Sequence, residues 1–69
     1  MRARFRIYEV EHQGDEAESL HDLRIAGCDN IEVLSRDYEG EESIAVAVDL
    51  PEGMTNFREL EPKLEYACL

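Results

Sequence analysis

The chain has 69 residues, 17 acidic against 7 basic, a formal net charge of −10 and 43% hydrophobic residues. That length is one domain, residues 1–69, and a domain so small buries only about 60% of its unfolded surface, which makes oligomerisation a common remedy. The apolar share excludes a disordered acidic tail, no apolar run approaches the ~20 residues of a membrane helix, and the acidity opposes general binding to nucleic acid.

The first predicted element is a strand. In Ala3-Arg4-Phe5-Arg6-Ile7-Tyr8-Glu9-Val10, Ala3, Phe5 and Ile7 alternate with Arg2, Arg4, Arg6 and Tyr8, the period of a half-buried strand. No apolar stretch follows the N-terminal charges, so a signal peptide is not expected and a cytoplasmic location is. Glu11-His12-Gln13-Gly14-Asp15 is a polar loop. A helix over 16–26 follows, with Asp15 as its cap, Glu18 completing a capping box, Ala17, Leu20, Leu23 and Ala26 as its apolar stripe, and Gly27 just past its end.

Asn30 to Tyr38 and Glu42 to Leu50 read as a hairpin turning at Glu39-Gly40. Placing Tyr38 opposite Glu41 sets Ile31 against Val48, Val33 against Val46 and Ser35 against Ile44, a consistent buried face. Glu32, Leu34, Arg36 and Tyr38 then share the other face with Ala45, Ala47 and Asp49. Pro51-Glu52-Gly53 ends the hairpin, and Thr55 or Asn56 caps a short second helix with Phe57, Leu60 and Leu64 on its apolar side. Pro62 is incompatible with a helix interior. Either the helix stops near Glu61 and 63–69 form a final strand, as the alternation of Leu64, Tyr66 and Cys68 suggests, or Pro62 begins a second helical piece.

The order β-α-β-β-α(-β) with a right-handed first crossover defines an α+β, ferredoxin-like split βαβ fold: an antiparallel sheet with two helices on one face. Its expected core is Phe5, Ile7, Ile31, Val33, Ile44, Val46 and Val48 from the sheet, with Ala17, Leu20, Leu23, Phe57 and Leu60 from the helices. From Leu20 to Leu50, the helix, Ala26-Gly27, Asn30-Ile31-Glu32-Val33-Leu34 and Ser43-Ile44-Ala45-Val46-Ala47-Val48 resemble the small ligand-sensing ACT-type domains, which are ferredoxin-like modules that pair side by side or face to face. The ligand loop of that family carries Asp-x-x-Gly before its first helix. Glu11-His12-Gln13-Gly14 has an acid and a glycine at the same separation, and the resemblance implies a ligand-binding role for Gly14.

The basic residues are six Arg and one Lys, the acids twelve Glu and five Asp. In the expected fold Arg2, Arg4, Arg6 and Arg36, with Tyr8 and Tyr38, gather on the sheet face away from the helices. Arginine beside aromatic residues on an open sheet is one way single-stranded RNA is bound, but the signature of such sheets is missing and the net charge opposes it. Two other readings remain: a solvated face on which long arginine stems cover Leu34, Ala45 and Ala47, and a contact surface for a second copy. Catalysis lacks a basis, because neither His12 nor His21 stands near a nucleophile and Cys28 follows a helix instead of opening one. Cys28 and Cys68 have no metal or redox spacing and read as reduced thiols. No cofactor is implied.

The expected function is therefore a small non-catalytic interaction module, homodimeric, working through the Arg/Tyr face or an edge strand and without nucleic-acid or membrane partners. One alternative is an acidic decoy that blocks a basic protein, using Asp15, Glu16, Glu18, Asp22, Glu39, Glu41 and Glu42. Another is a small-molecule sensor with its ligand near Gly14.

Overall fold

The computed structural model describes residues 1–68. It has a β-strand β1 (Arg2–Tyr8), a helix α1 (Gln13–Ile25), strands β2 (Asp29–Asp37) and β3 (Ser43–Asp49), a one-turn helix α2 (Phe57–Leu60) that runs into a 3₁₀ turn (Glu61–Lys63), and a two-residue strand β4 (Ala67–Cys68). The strands form one antiparallel sheet in the order β2-β3-β1-β4. The protein is thus a small α+β fold with a four-stranded antiparallel sheet and two helices.

The alternation in β1 does what its period requires. Phe5 and Ile7 are buried while Arg2 and Arg4 are exposed. Across the strand, Phe5 pairs with Val46 and Ile7 with Ile44, and those side chains join Leu23 of α1 and Phe57 and Leu60 of α2 in one core. The rings of Phe5 and Phe57 lie 4.6 Å apart with a 35° tilt, an aromatic contact worth roughly 0.5–1.5 kcal/mol beyond its buried area. Val10, Cys28 and Leu50, which the strand and helix periods do not reach, are also buried in this core. Each lies just past an element's end, where backbone hydrogen bonds draw the chain back in: Val10 to Glu42, Cys28 to Leu23, and Leu50 to Met1.

Helix α1 departs from expectation at its start. It begins at Gln13, and its cap is His12, whose Nδ1 accepts hydrogen bonds from the amides of Gly14 (3.1 Å) and Asp15 (3.3 Å). Asp15, expected as the cap, sits inside the first turn and accepts a hydrogen bond from the Glu11 amide at 2.9 Å. The shift by a few residues rotates the stripe: Ala17 is exposed and Glu16 is turned inward. The other end follows the sequence reading. Gly27 takes φ +96°, its amide bonds to Arg24 and that of Cys28 to Leu23, the paired geometry of a Schellman cap.

The hairpin carries the main correction. Val33 does oppose Val46, but Ser35 opposes Ala45 and Arg36 opposes Ile44. One extra residue is accommodated between Val33 and Ser35, a β-bulge that reverses the parity of all that follows. Ser35 therefore faces Ala45 and not the buried Ile44, and Arg36 and Tyr38 turn to the helix side. The loop is closed by Asp37, whose carboxylate accepts from the amides of Gly40 (2.8 Å) and Glu41 (3.1 Å).

After β3 the chain turns at Gly53, which has φ +92°. Asn56 stands at the N-cap position of α2 without a side-chain hydrogen bond to the helix, and the Glu59 carboxylate accepts a hydrogen bond from the Thr55 amide at 3.0 Å. Pro62 stands in the 3₁₀ turn, so the helix ends before it, as its missing donor demands. Among the described residues, β4 pairs Ala67 with Ile7 and Cys68 with Arg6. Tyr66 has φ +62°, which breaks the alternation of Leu64, Tyr66 and Cys68; Leu64 and Ala67 pack toward the core instead. The expected strand over 63–69 also includes residue 69, which lies outside the described residues.

Candidate functional site

The sheet face opposite the helices is built from alternate residues of β1 and β3 and from the first half of β2. Arg2 pairs with Asp49, Arg4 with Ala47 and Arg6 with Ala45, while Glu32 opposes Ala47 from the other side. Ala47 is nearly inaccessible there. Because alanine is short, the guanidinium stems and Leu34 stand above it and enclose a trough of about 260 Å³ lined by Arg4, Arg6, Leu34 and Ala45. Leu34 is 42% exposed, an apolar side chain offered to solvent beside Arg4 and Arg6.

Those arginines are not equivalent. Arg2 donates to the Asn30 carbonyl (3.0 Å), Asp49 (3.2 Å) and Glu32 (3.2 Å). Asn30 and Arg2 together hold the Asp49 carboxyl below its ordinary range, the Asn30 hydrogen bond, 2.6 Å long, being the larger cause. Arg6 donates to the Ser43 hydroxyl at 2.9 Å and lies 3.7 Å from Glu41. Arg4, between them, has no carboxylate within ion-pair distance among the described residues. Among the described residues, the face thus has one uncommitted cation at its centre. Tyr8, opposite Ser43, ends the strand and is just over a third exposed.

Arg36 and Tyr38, expected on this face, belong to a different construction. The Arg36 guanidinium donates through Nε (2.7 Å) and a terminal nitrogen (3.0 Å) to the two carboxylate oxygens of Glu16, and the Tyr38 hydroxyl donates to Glu16 Oε1 at 2.7 Å. The Glu16 side chain is only 13% exposed. A carboxylate so placed needs its charge matched and its lone pairs filled, and the two hairpin residues do both. The Arg36 hydrogen bond holds the Glu16 carboxyl below its ordinary value near 4.5, against the opposing effect of burial. Glu16 is therefore a clasp between α1 and the hairpin, not part of a solvated acidic surface.

Gly14 lies in the first turn of α1 with its amide taken by His12 Nδ1. A Cβ there would stand 3.0–3.1 Å from the His12 ring, so glycine is what lets the imidazole fold over the helix start. The acidic groups gather elsewhere: Glu9, Asp15, Glu18, Asp22 and Glu65, with Tyr8 and Tyr66, line a hollow of about 200 Å³. Glu42 sits against Glu11, and the carboxyl–carboxyl hydrogen bond and the repulsion between them raise its proton affinity. Cys28 and Cys68 are both free thiols, the first buried, where desolvation pushes its titration upward, and the second exposed.

The sequence reading did not find the Glu16 clasp or the His12 cap. A signal for the first existed: the simple register placed Ser35, a polar residue, against Ile44 in the core. No helix among the described residues is long and apolar enough to cross a membrane. In comparison with known proteins, no family model, no curated protein and no solved structure matches this chain.

Proposed function

We propose that the protein is a small non-catalytic interaction module that pairs with a second copy of itself through the open sheet face, in a ferredoxin-like frame. The strand order β2-β3-β1-β4, with a helix after β1 and another after β3, supports that reading of the frame. The observation that carries the functional reading is the trough at Arg4, Leu34 and Ala45: an exposed leucine over small residues, beside a cation with no carboxylate within ion-pair distance among the described residues. A two-fold partner brings its own Leu34 over the alanines and its Glu32 toward Arg4, which pairs the free charge and covers the apolar floor. Sedimentation equilibrium tests this. The wild-type chain forms a dimer, and Leu34→Asp shifts it to monomer at the same concentration. A wild-type monomer at millimolar concentration overturns the reading.

A second reading, capture of a basic protein segment, has one observation in its favour. The hollow lined by Glu9, Asp15, Glu18, Asp22 and Glu65 between Tyr8 and Tyr66 presents carboxylates and aromatic rings together, a setting that suits a guanidinium or ammonium group. Binding of an arginine-rich peptide that weakens steeply with salt and is lost in Glu18→Gln/Asp22→Asn supports it; indifference to both removes it.

A further inference from the structure

Helix α1 is held down unevenly. Its second half is anchored by apolar burial: Leu23 is fully buried and Leu20 packs against the core. From Gln13 to Ser19 no residue is fully buried, and the half-buried ones, Asp15, Glu16 and Ser19, are polar. That first half is fastened by two polar devices, the His12 cap and the Glu16 clasp. Each depends on a protonation state, and the two belong to different pH ranges. The Arg36 hydrogen bond holds the Glu16 carboxyl below its ordinary value near 4.5, so the clasp persists well into acid. A histidine in an unperturbed chain takes up its proton at about pH 6.5.

The cap is bound to one form of the ring. Nδ1 accepts from the amides of Gly14 at 3.1 Å and Asp15 at 3.3 Å, which requires a lone pair on that nitrogen and leaves the proton of the neutral ring on Nε2. The imidazolium carries a proton on both nitrogens and has no acceptor, so neither rotating nor flipping the ring restores the cap. It also brings a positive charge to the positive end of the helix. The carboxylates that face the ring act the other way. Nε2 lies 3.5 Å from Asp15 Oδ2. Glu11 precedes the ring, with Glu42 bonded to it from just before β3, and Glu16 follows in the first turn, committed to Arg36. These groups attract a charged ring, but the attraction does not need the ring's place over the amides. A side chain 69% exposed can meet Asp15 from outside the helix start.

We propose that His12 is a proton-operated latch on the first turn of α1, closed while Nδ1 is bare and released when mild acid protonates the ring, with Glu16 still holding the helix one turn further on. Release frees the amides of Gly14 and Asp15. It also loosens Asp15, which fixes the Glu11 amide at 2.9 Å and forms one wall of the hollow between Tyr8 and Tyr66. Because the closed form excludes the proton, it prevails above the histidine range and is lost as pH falls through it. The latch stands apart from the open sheet face, so its test does not depend on pairing there.

The test is NMR on the isotope-labelled full-length chain from about pH 8 down to about pH 5, a span that titrates histidine and leaves the Glu16 clasp intact. In the neutral ring of His12 the nitrogen signals should show Nδ1 bare and Nε2 carrying the hydrogen. As His12 takes up its proton, the protection of the Gly14 and Asp15 amides against exchange should fall about fivefold, the worth of a helix cap, while that of Leu23 in the same helix is unchanged. The ratio to Leu23 separates the latch from any change in global stability. In His12→Asn, whose amide oxygen caps without titrating, the step should vanish; in His21→Asn it should remain. The proposal is overturned if Nδ1 carries the hydrogen in the neutral ring, if His12 is protonated with Gly14 and Asp15 still protected, if the step survives in His12→Asn, or if His21→Asn abolishes it.

Discussion

Two glutamates show how environment assigns opposite roles to one side-chain type. Glu16 is inward, held below its ordinary value near 4.5 by the Arg36 hydrogen bond and further by Tyr38. A depressed carboxyl contributes stability that is complete above its unfolded value and is lost as pH falls through its folded value. Replacing it by glutamine at neutral pH removes charge-assisted bonds worth about 1–2 kcal/mol together, or roughly 5–10 °C in a domain this small. Thermal melts should show that deficit at pH 7 and show it narrowing in acid, where the wild-type carboxyl is protonated as well; a deficit constant across pH would refute the clasp. Glu42 is the converse. Its carboxyl is raised by the hydrogen bond and repulsion of Glu11, with Glu9 adding to the field. Glu42→Gln is expected to raise the melting temperature at pH 7, and the gain should vanish as pH drops through the raised value. An unchanged or lower melting temperature at pH 7 would mean that the carboxylates do not repel in the folded chain.

At the scale of elements, α1 depends on a contact between its cap and its first turn. Alanine is the better helix former by about 1 kcal/mol, yet a Cβ on Gly14 meets the His12 ring at 3.0 Å and displaces the cap. Gly14→Ala is therefore expected to destabilise the wild type and to stabilise a His12→Ser background, where a shorter cap leaves room. Denaturant titration of the four chains of this cycle measures the coupling, and additive effects would show that ring and glycine do not interact. The same element shows what was legible. Gly27 marked the helix end because left-handed backbone there favours glycine, whereas the start was misplaced because histidine is not among the usual capping residues. The strands, their order along the chain and most of the sheet core followed from period-two alternation. The bulge did not, since neither glycine nor proline marks it. Only the burial of Ser35 in the simple register, and the adjacent apolar pair Val33-Leu34, hinted at a slip. That one residue decided the candidate site: Arg2, Arg4 and Arg6 stayed on the open face, and Arg36 and Tyr38 left it.

The molecule as a whole carries its net charge of −10 on a small surface, so self-repulsion opposes folding at neutral pH. Two consequences of acidification then compete. Protonating exposed carboxylates, Glu42 among the first, relieves repulsion and stabilises. Protonating the depressed groups removes specific bonds: Glu16 with Arg36, Asp37 with the Gly40 and Glu41 amides, and Asp49 with Asn30 and Arg2. The depressed group titrates later because its folded value lies below its ordinary one, 4.5 for Glu16 and 3.8 for Asp37 and Asp49. Stability should accordingly rise as pH is lowered from 7, reach a maximum, and fall as these three carboxylates take up protons in turn. Salt separates the contributions, because screening acts on dispersed surface charge far more than on short, directional bonds. Added salt should raise the melting temperature at pH 7 and have little effect at the maximum. If the melting temperature instead declines steadily from pH 7 downward and salt lowers it at neutrality, then paired charges outweigh repulsion in this fold.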